Sequence, residues 1–279
     1  MLVRRGPTKP PAGALLNWAH PLAQGLLRFW AFNEGGGLPR DLVQGRPLTF
    51  TGSPVWAISP TRERAQGVNI PASGTYLVGD DDFRTQSTAA VTVLWSGFWT
   101  DRTLAGSACY VSDGQATSTG YNWIITDSGA DTDAYFFLKT AGVGTSAQKT
   151  VPIASAGTGS HDLVGRYDGA TLSMWVNGVS GTTTAKTGTV DSTDFDVIVG
   201  QWNSTAITQV VSRVAIWNRA LSASEIMSLT TNPWAMLRPT IRILGFATPA
   251  VAGGVFTRVV SSGSGPGMRL AGGGGGLAA

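Results

Sequence analysis

Apolar residues in this chain recur at every second position over short stretches, and Gly, Asp, Ser and Asn separate the stretches. Such spacing marks β-strands with one buried face, because successive side chains of a strand point to opposite sides. Strands are predicted at Leu26–Phe32, bounded by Gly25 and Glu34-Gly-Gly-Gly37, and at Val91–Trp99, Tyr121–Thr126, Ala134–Lys139, Val197–Gly200 and Val210–Trp217. The clearest signal spans 161–178. His161–Tyr167 and Ala170–Val176 read as strands joined by Asp168-Gly169, a pair that tolerates the positive φ angles of tight hairpins, and Asn177-Gly178 supplies a second such turn. In the strand between the turns, Leu172, Met174 and Val176 share one face and Ser173 and Trp175 the other.

One segment reads differently. Ser222-Ala-Ser-Glu225 is a capping box, flanked by Leu221 and Ile226 as a hydrophobic staple, so a short helix is expected near 222–231, ending before Asn232-Pro233. Residues 1–16 carry Pro7, Pro10 and Pro11 and predict an N-terminal arm that needs a partner for order. Beyond the helix, Thr240–Phe246 and Val255–Val260 are β-like, and the end dissolves into Ser and Gly through Gly272–Gly276. The expected organisation is therefore an arm at 1–16, a body at 17–238 and a C-terminal arm with a Gly-rich tail at 239–279.

Composition sharpens this into an all-β chain. With 37 Gly and only 13% charged residues among 279, many short strands and tight turns are favoured over helices, and ten Trp with ten Phe can fill a sizeable core. The net charge of +3 is unevenly spread. Arg4, Arg5, Lys9 and Arg28 lie at one end and Arg238, Arg242, Arg258 and Arg269 at the other, without an acid among them, whereas residues 29–234 carry a net −5. That layout suits gripping an acidic protein surface or a neighbouring subunit. Dense Lys/Arg runs and groove-reading motifs are absent, so nucleic acid is not expected as a partner. The single Cys109 excludes an internal disulfide and is expected in the core; no export signal and no membrane span are expected.

Two strings carry a family resemblance: Val-Gly-Arg-Tyr-Asp-Gly-Ala-Thr-Leu-Ser-Met-Trp-Val-Asn-Gly (164–178) and Val-Ala-Ile-Trp-Asn-Arg-Ala-Leu-Ser-Ala-Ser-Glu-Ile (214–226). They resemble the bacterial and phage laminin-G-like, concanavalin A-like jelly-roll family, and the stretch from Asn17 to Gly37 looks like the opening of such domains. The resemblance implies a two-sheet antiparallel jelly-roll sandwich over about residues 17–238, whose concave sheet binds glycans in some members. Where many members read Gly-x-Ile-Asp-Glu, this chain has Gln209-Val-Val-Ser-Arg213, so an acidic pair becomes Ser212 and Arg213. The His-Pro-Leu opening, the Asn-Pro-Trp ending and the apolar tail are similar to those of tailed-phage particle proteins.

Catalytic chemistry is not expected. Glycosidases on this fold need paired carboxylates at a fixed separation, and no Glu-x-Asp-x-Glu pattern occurs; Glu34, Glu63 and Glu225 each have a local explanation. Nucleophile elbows, Cys/His zinc spacings and phosphate loops are missing, and His20 and His161 have no sequence partner. Asp80-Asp81-Asp82 and Asp127, Asp131 and Asp133 offer the oxygens calcium takes but lack the Gly and bidentate Glu of a calcium loop; they read as solvated turns, and no cofactor is expected. Among the aromatic residues, Trp99, Tyr110, Trp123, Trp175 and Trp202 are largely core by pattern, with Trp123, Trp175 and Trp202 the candidates for a glycan platform.

The resulting expectation is a phage virion structural protein, a capsid decoration or minor head protein assembled in the host cytoplasm. It would join the major capsid protein and other copies of itself, as a homotrimer, through Arg4, Arg5, Arg238, Ile241, Arg242, Ile243, Phe246, Phe256 and Arg258. The alternative is a carbohydrate-binding module acting as a tail-associated receptor binder or surface adhesin.

Overall fold

A computed structural model describes residues 9–58, 66–71, 74–79, 89–101, 109–114, 121–127, 133–150, 159–191, 196–200 and 208–238. Its strands, in chain order, are β1 (Leu26–Trp30), β2 (Thr49–Thr51), β3 (Val55–Ile58), β4 (Gln66–Ile70), β5 (Tyr76–Val78), β6 (Val91–Asp101), β7 (Cys109–Asp113) and β8 (Trp123–Asp127). They continue as β9 (Asp133–Thr140), β10 (Val143–Thr150), β11 (Gly159–Tyr167), β12 (Thr171–Val176), β13 (Val179–Ala185), β14 (Val197–Val199) and β15 (Thr208–Trp217), and α1 (Ala223–Thr231) follows. All pairings among these strands are antiparallel.

Two sheets result. One runs β13-β12-β11-β6-β15-β4-β3, with β1 also pairing β15; the other runs β10-β9-β8-β7-β14-β5-β2. Their facing sides enclose the main core. Val93, Trp95 and Trp99 of β6 and Leu172, Met174 and Val176 of β12 meet Tyr110, Trp123 and Phe136 from the seven-stranded sheet. This is the expected two-sheet antiparallel sandwich with one short helix. The sheets come so close at Gly165 that a Cβ there would lie 2.3 Å from the Phe136 ring.

A second apolar cluster coats the outer side of the eight-stranded sheet. Ile226 and Leu229 of α1, Leu16, Leu22 and Met236 pack with Leu94, Val164, Ala215 and Trp217. The helix starts as its sequence dictates. The Ser222 hydroxyl accepts from the Glu225 amide, and the Glu225 carboxylate accepts from the Ser222 amide. Arg219 clasps the same carboxylate at 2.7 and 3.0 Å. With that guanidinium beside it, and despite partial burial, Glu225 is held down to about 2 from a usual 4.5.

Two expectations are corrected by this arrangement, and two strands are added. Residues 9–16 do not form a free arm: Ala14 and Leu16 are buried in the second cluster, Leu16 bridges Leu237, and the Asn33 amide donates to the carbonyls of Pro10 and Pro11. Pro-rich sequence hides such docking because it gains order from tertiary contacts alone. The turn after β11 is not a two-residue Asp-Gly turn. Asp168 accepts from the amides of Ala170 and Thr171, and among these residues Gly169 takes the positive φ, 91°. The Asn177-Gly178 turn, by contrast, has φ of 51° and 80°, as the sequence predicts. Finally, β10 and β13 are strands that alternation does not reveal, because their residues are mostly Gly, Ser and Thr. The C-terminal runs at 240–246 and 255–260 lie outside the described residues.

Three measurements test this architecture. Gly165→Ala should lower the unfolding free energy by about 1–3 kcal/mol, and by clearly less in a Phe136→Leu background, when both are followed by denaturant titration. Ala141 adopts φ 50° in the turn between β9 and β10, so Ala141→Asn should raise stability by about 0.5–1 kcal/mol. Because the folded Glu225 pKa lies below the unfolded one, its stabilisation is complete above about 4.5 and disappears as pH falls toward 2. Glu225→Gln should therefore remove about 2 kcal/mol at pH 6 and very little at pH 2.

Candidate binding face

The two outer sides of the sandwich are treated differently. That of the eight-stranded sheet lies under α1 and the segments around Leu16 and Trp234. The outer side of the seven-stranded sheet carries its own aromatic and polar residues, set by the alternation of β9. Ala134, Phe136 and Leu138 enter the core, and Tyr135, Phe137 and Lys139 point the other way, half-buried.

The rings of Tyr135 and Phe137 stack with centroids 5.8 Å apart and planes 23° from parallel. Beside them, the Lys139 ammonium sits 4.2 Å from the centroid of the Tyr121 ring, within the range where a cation is drawn to a π-face. Cys109 and Ile124 lie beneath Tyr121 and Phe137 as a small buried base, and burial pushes the Tyr121 phenol above its usual value. In register across the sheet, Ser112, Ile124, Phe137 and Ser146 form one row. Ser112 is buried with its hydroxyl donating to the Gly114 carbonyl, so of the two serines Ser146 alone is partly exposed. An aromatic shelf with a cation at one end and the Ser146 hydroxyl alongside fits the flat apolar face and polar rim of a sugar ring.

The sequence candidates fall elsewhere. Trp123 is at 0% exposure and faces the main core, one residue out of phase with the shelf, so it is no platform. Trp175 is half-buried on the opposite sheet, packed against the second cluster, and its indole N–H donates to Ser173. Trp202 lies outside the described residues, as do Arg4, Arg5, Ile241, Arg242, Ile243, Phe246, Phe256 and Arg258. Arg238 is described, and its amide donates to the Leu15 carbonyl. Trp99 and Tyr110 pack together in the core, their rings tilted by 31°, as the pattern indicates. Tyr121, Tyr135, Phe137 and Lys139 were not singled out as a site. Their signal is in the alternation of β9, where Ala134, Phe136 and Leu138 share one face and Tyr135, Phe137 and Lys139 the other.

Charged groups elsewhere serve structure. Arg213 is at 1% exposure on β15, its Nη2 2.7 Å from the Asp162 carboxylate and its Nη1 donating to the Pro233 carbonyl. The guanidinium also lies over the Trp234 ring at 5.7 Å. A β-bulge between Val211 and Arg213 places it there while Val211 and Val214 both face the core. The neighbouring Ser212 hydroxyl donates to the Ser96 carbonyl. Thus the Ser-Arg pair that replaces the family's acidic pair has a packing role, and its carboxylate comes from β11. Glu34 accepts from the Arg40 amide, and Glu225 caps α1. Among the described residues no three His, Cys, Asp or Glu side chains converge as a metal site, and no helix is long and apolar enough to cross a membrane. Glu63, Asp80–Asp82 and Asp131 lie outside the described residues.

Comparison with known proteins agrees with the fold. Residues 73–227 match the model of the concanavalin A-like lectin/glucanases superfamily. No curated protein sequence matches the chain. The binding domain of Paraclostridial Mosquitocidal Protein 1 superposes with a TM-score of 0.61 at 10% identity, covering 77% of this chain and 53% of that one. The binding domain of botulinum neurotoxin DC, solved in complex with SialylT, gives 0.59 at 10% identity over 74% and 50%. A Trypanosoma rangeli sialidase gives 0.53 at 13% identity over 80% and 36%. The chain spans about half the length of the binding domains it matches, and at these identities the likeness is one of fold.

Arg213→Met should cost about 3 kcal/mol because it removes the cation from the Asp162 carboxylate and leaves it only the Ser96 hydroxyl as a side-chain partner. The double variant with Asp162→Asn should cost less than the sum of the two single changes, as read by a double-mutant cycle in urea.

Proposed function

Because this chain belongs to the concanavalin A-like lectin/glucanases superfamily, we propose that it is a non-catalytic carbohydrate-binding module. Its ligand lies on the outer face of the seven-stranded sheet. The observation that carries this reading is the stacked Tyr135–Phe137 pair beside Lys139, on a face that neither the helix nor the second cluster covers. Half-buried rings held rigid by a buried base lose little freedom on binding, and their exposed faces suit the C–H face of a pyranose. The similar binding domains of two toxins, one in complex with SialylT, support a binding role over a catalytic one.

Display on a phage particle is compatible with this module and is a separate role. In that reading the terminal residues, with Arg4 and Arg5 at one end and the apolar run from Ile241 to Phe246 at the other, attach the chain to a capsid protein or to further copies.

A glycan array probed with the full chain should return a defined set of sugars. Tyr135→Ala and Phe137→Ala should each weaken the best of them about tenfold by titration calorimetry, and Trp175→Ala should leave it unchanged. An empty array, or unaltered affinity in both β9 variants, would falsify the proposal.

A further inference from the structure

The eight-stranded sheet forks along β15. On the side away from β6, β15 pairs with β4 through Gln209–Val211 and with β1 through Val214–Trp217. Ser212 falls in the gap between the two partners, and its carbonyl turns toward the same point as those of Gln66, at the start of β4, and of Phe32, two residues past β1. Lys9 fills it. Its ammonium donates to the carbonyls of Phe32 at 2.9 Å, of Ser212 at 3.0 Å, and of Gln66. Phe32 has a left-handed φ of 46°, unusual for a bulky residue, just where the chain leaves β1.

The chemistry of the gap is specific. An ammonium has three donors and no acceptor, so three carbonyl oxygens match it in number. The three ligands among the described residues are neutral carbonyls, which suit a monovalent cation, whereas divalent cations are normally held through carboxylates. The Trp234 ring, 5.7 Å from the Lys9 nitrogen, adds a π-face that also favours a monovalent cation. Next to this point the Asn33 amide donates to the carbonyls of Pro10 and Pro11, so the residues after Lys9 are fastened to the same corner. Further along, the Asn17 amide donates to the Met236 carbonyl.

We infer that the fork is a monovalent-cation site which the chain fills with its own Lys9 ammonium, and that this contact locks residues 9–17 onto the sheet. Unfilled, the three carbonyls lose a shared donor that no other side chain among the described residues supplies. The lock is independent of any ligand on the opposite sheet.

The test is hydrogen exchange on the full chain. In Lys9→Met, amides of residues 12–17 should lose protection at least tenfold, while those of β6 and the helix keep theirs. Potassium or ammonium chloride should restore much of that protection, and tetramethylammonium chloride at equal ionic strength should not. Wild-type protection in Lys9→Met, or a loss that small cations fail to reverse, would overturn the inference. Should Lys9→Met not fold, Lys9→Gln, whose neutral amide has two donors, is read in the same way.

Discussion

A guanidinium that has lost its water must be neutralised and hydrogen-bonded where it stands, and the outer layer of this protein is organised around that requirement at Arg213. The β-bulge turns Arg213 away from the core, Asp162 on β11 supplies the charge, and the Pro233 carbonyl with the Trp234 ring brings in the chain beyond α1. One buried cation thereby joins two neighbouring layers: the strands β11 and β15, and the segment laid over them. Lys9 meets the hydrogen-bonding part of that requirement at the fork, where its ammonium gathers carbonyls from three different parts of the chain. Basic residues at the chain's start thus act partly inward, where the charge pattern pointed to an external partner.

The covering layer decides where binding is feasible. With α1, Leu16, Leu22, Trp234 and Met236 spread over the eight-stranded sheet, the aromatic residues of that side are occupied in packing, as Trp175 illustrates. Among the described residues the seven-stranded sheet keeps its own outer side folded without such a cover. It does so with residues that are apolar enough to pack and polar enough to meet water: Tyr121, Tyr135, Phe137 and Lys139 over buried Cys109 and Ile124. That compromise is also what a sugar platform requires, which links the stability of the sheet to its proposed use.

Much of the body was readable from alternation, and the exceptions have physical causes. β12 follows its pattern residue by residue, with Leu172, Met174 and Val176 inward, because both its faces are buried against different layers. β10 and β13 escaped notice because strands of Gly, Ser and Thr owe their place to neighbours. At the binding face, composition led toward Trp, the largest ring, whereas phase decides exposure. Trp123 is in phase with the core, and the smaller Tyr135 and Phe137 are not. The docking of residues 9–16 was illegible for another reason: a lysine that meets three backbone carbonyls leaves no mark in the side-chain pattern.

The most direct test of the binding face is to compare hydrogen–deuterium exchange of the free chain with that of the chain saturated by its best glycan. The account predicts that added protection concentrates on β8 and β9, the strands that present the Tyr135–Phe137 shelf. Protection confined to α1 and the segment around Trp18 would place the ligand on the covered sheet and contradict it.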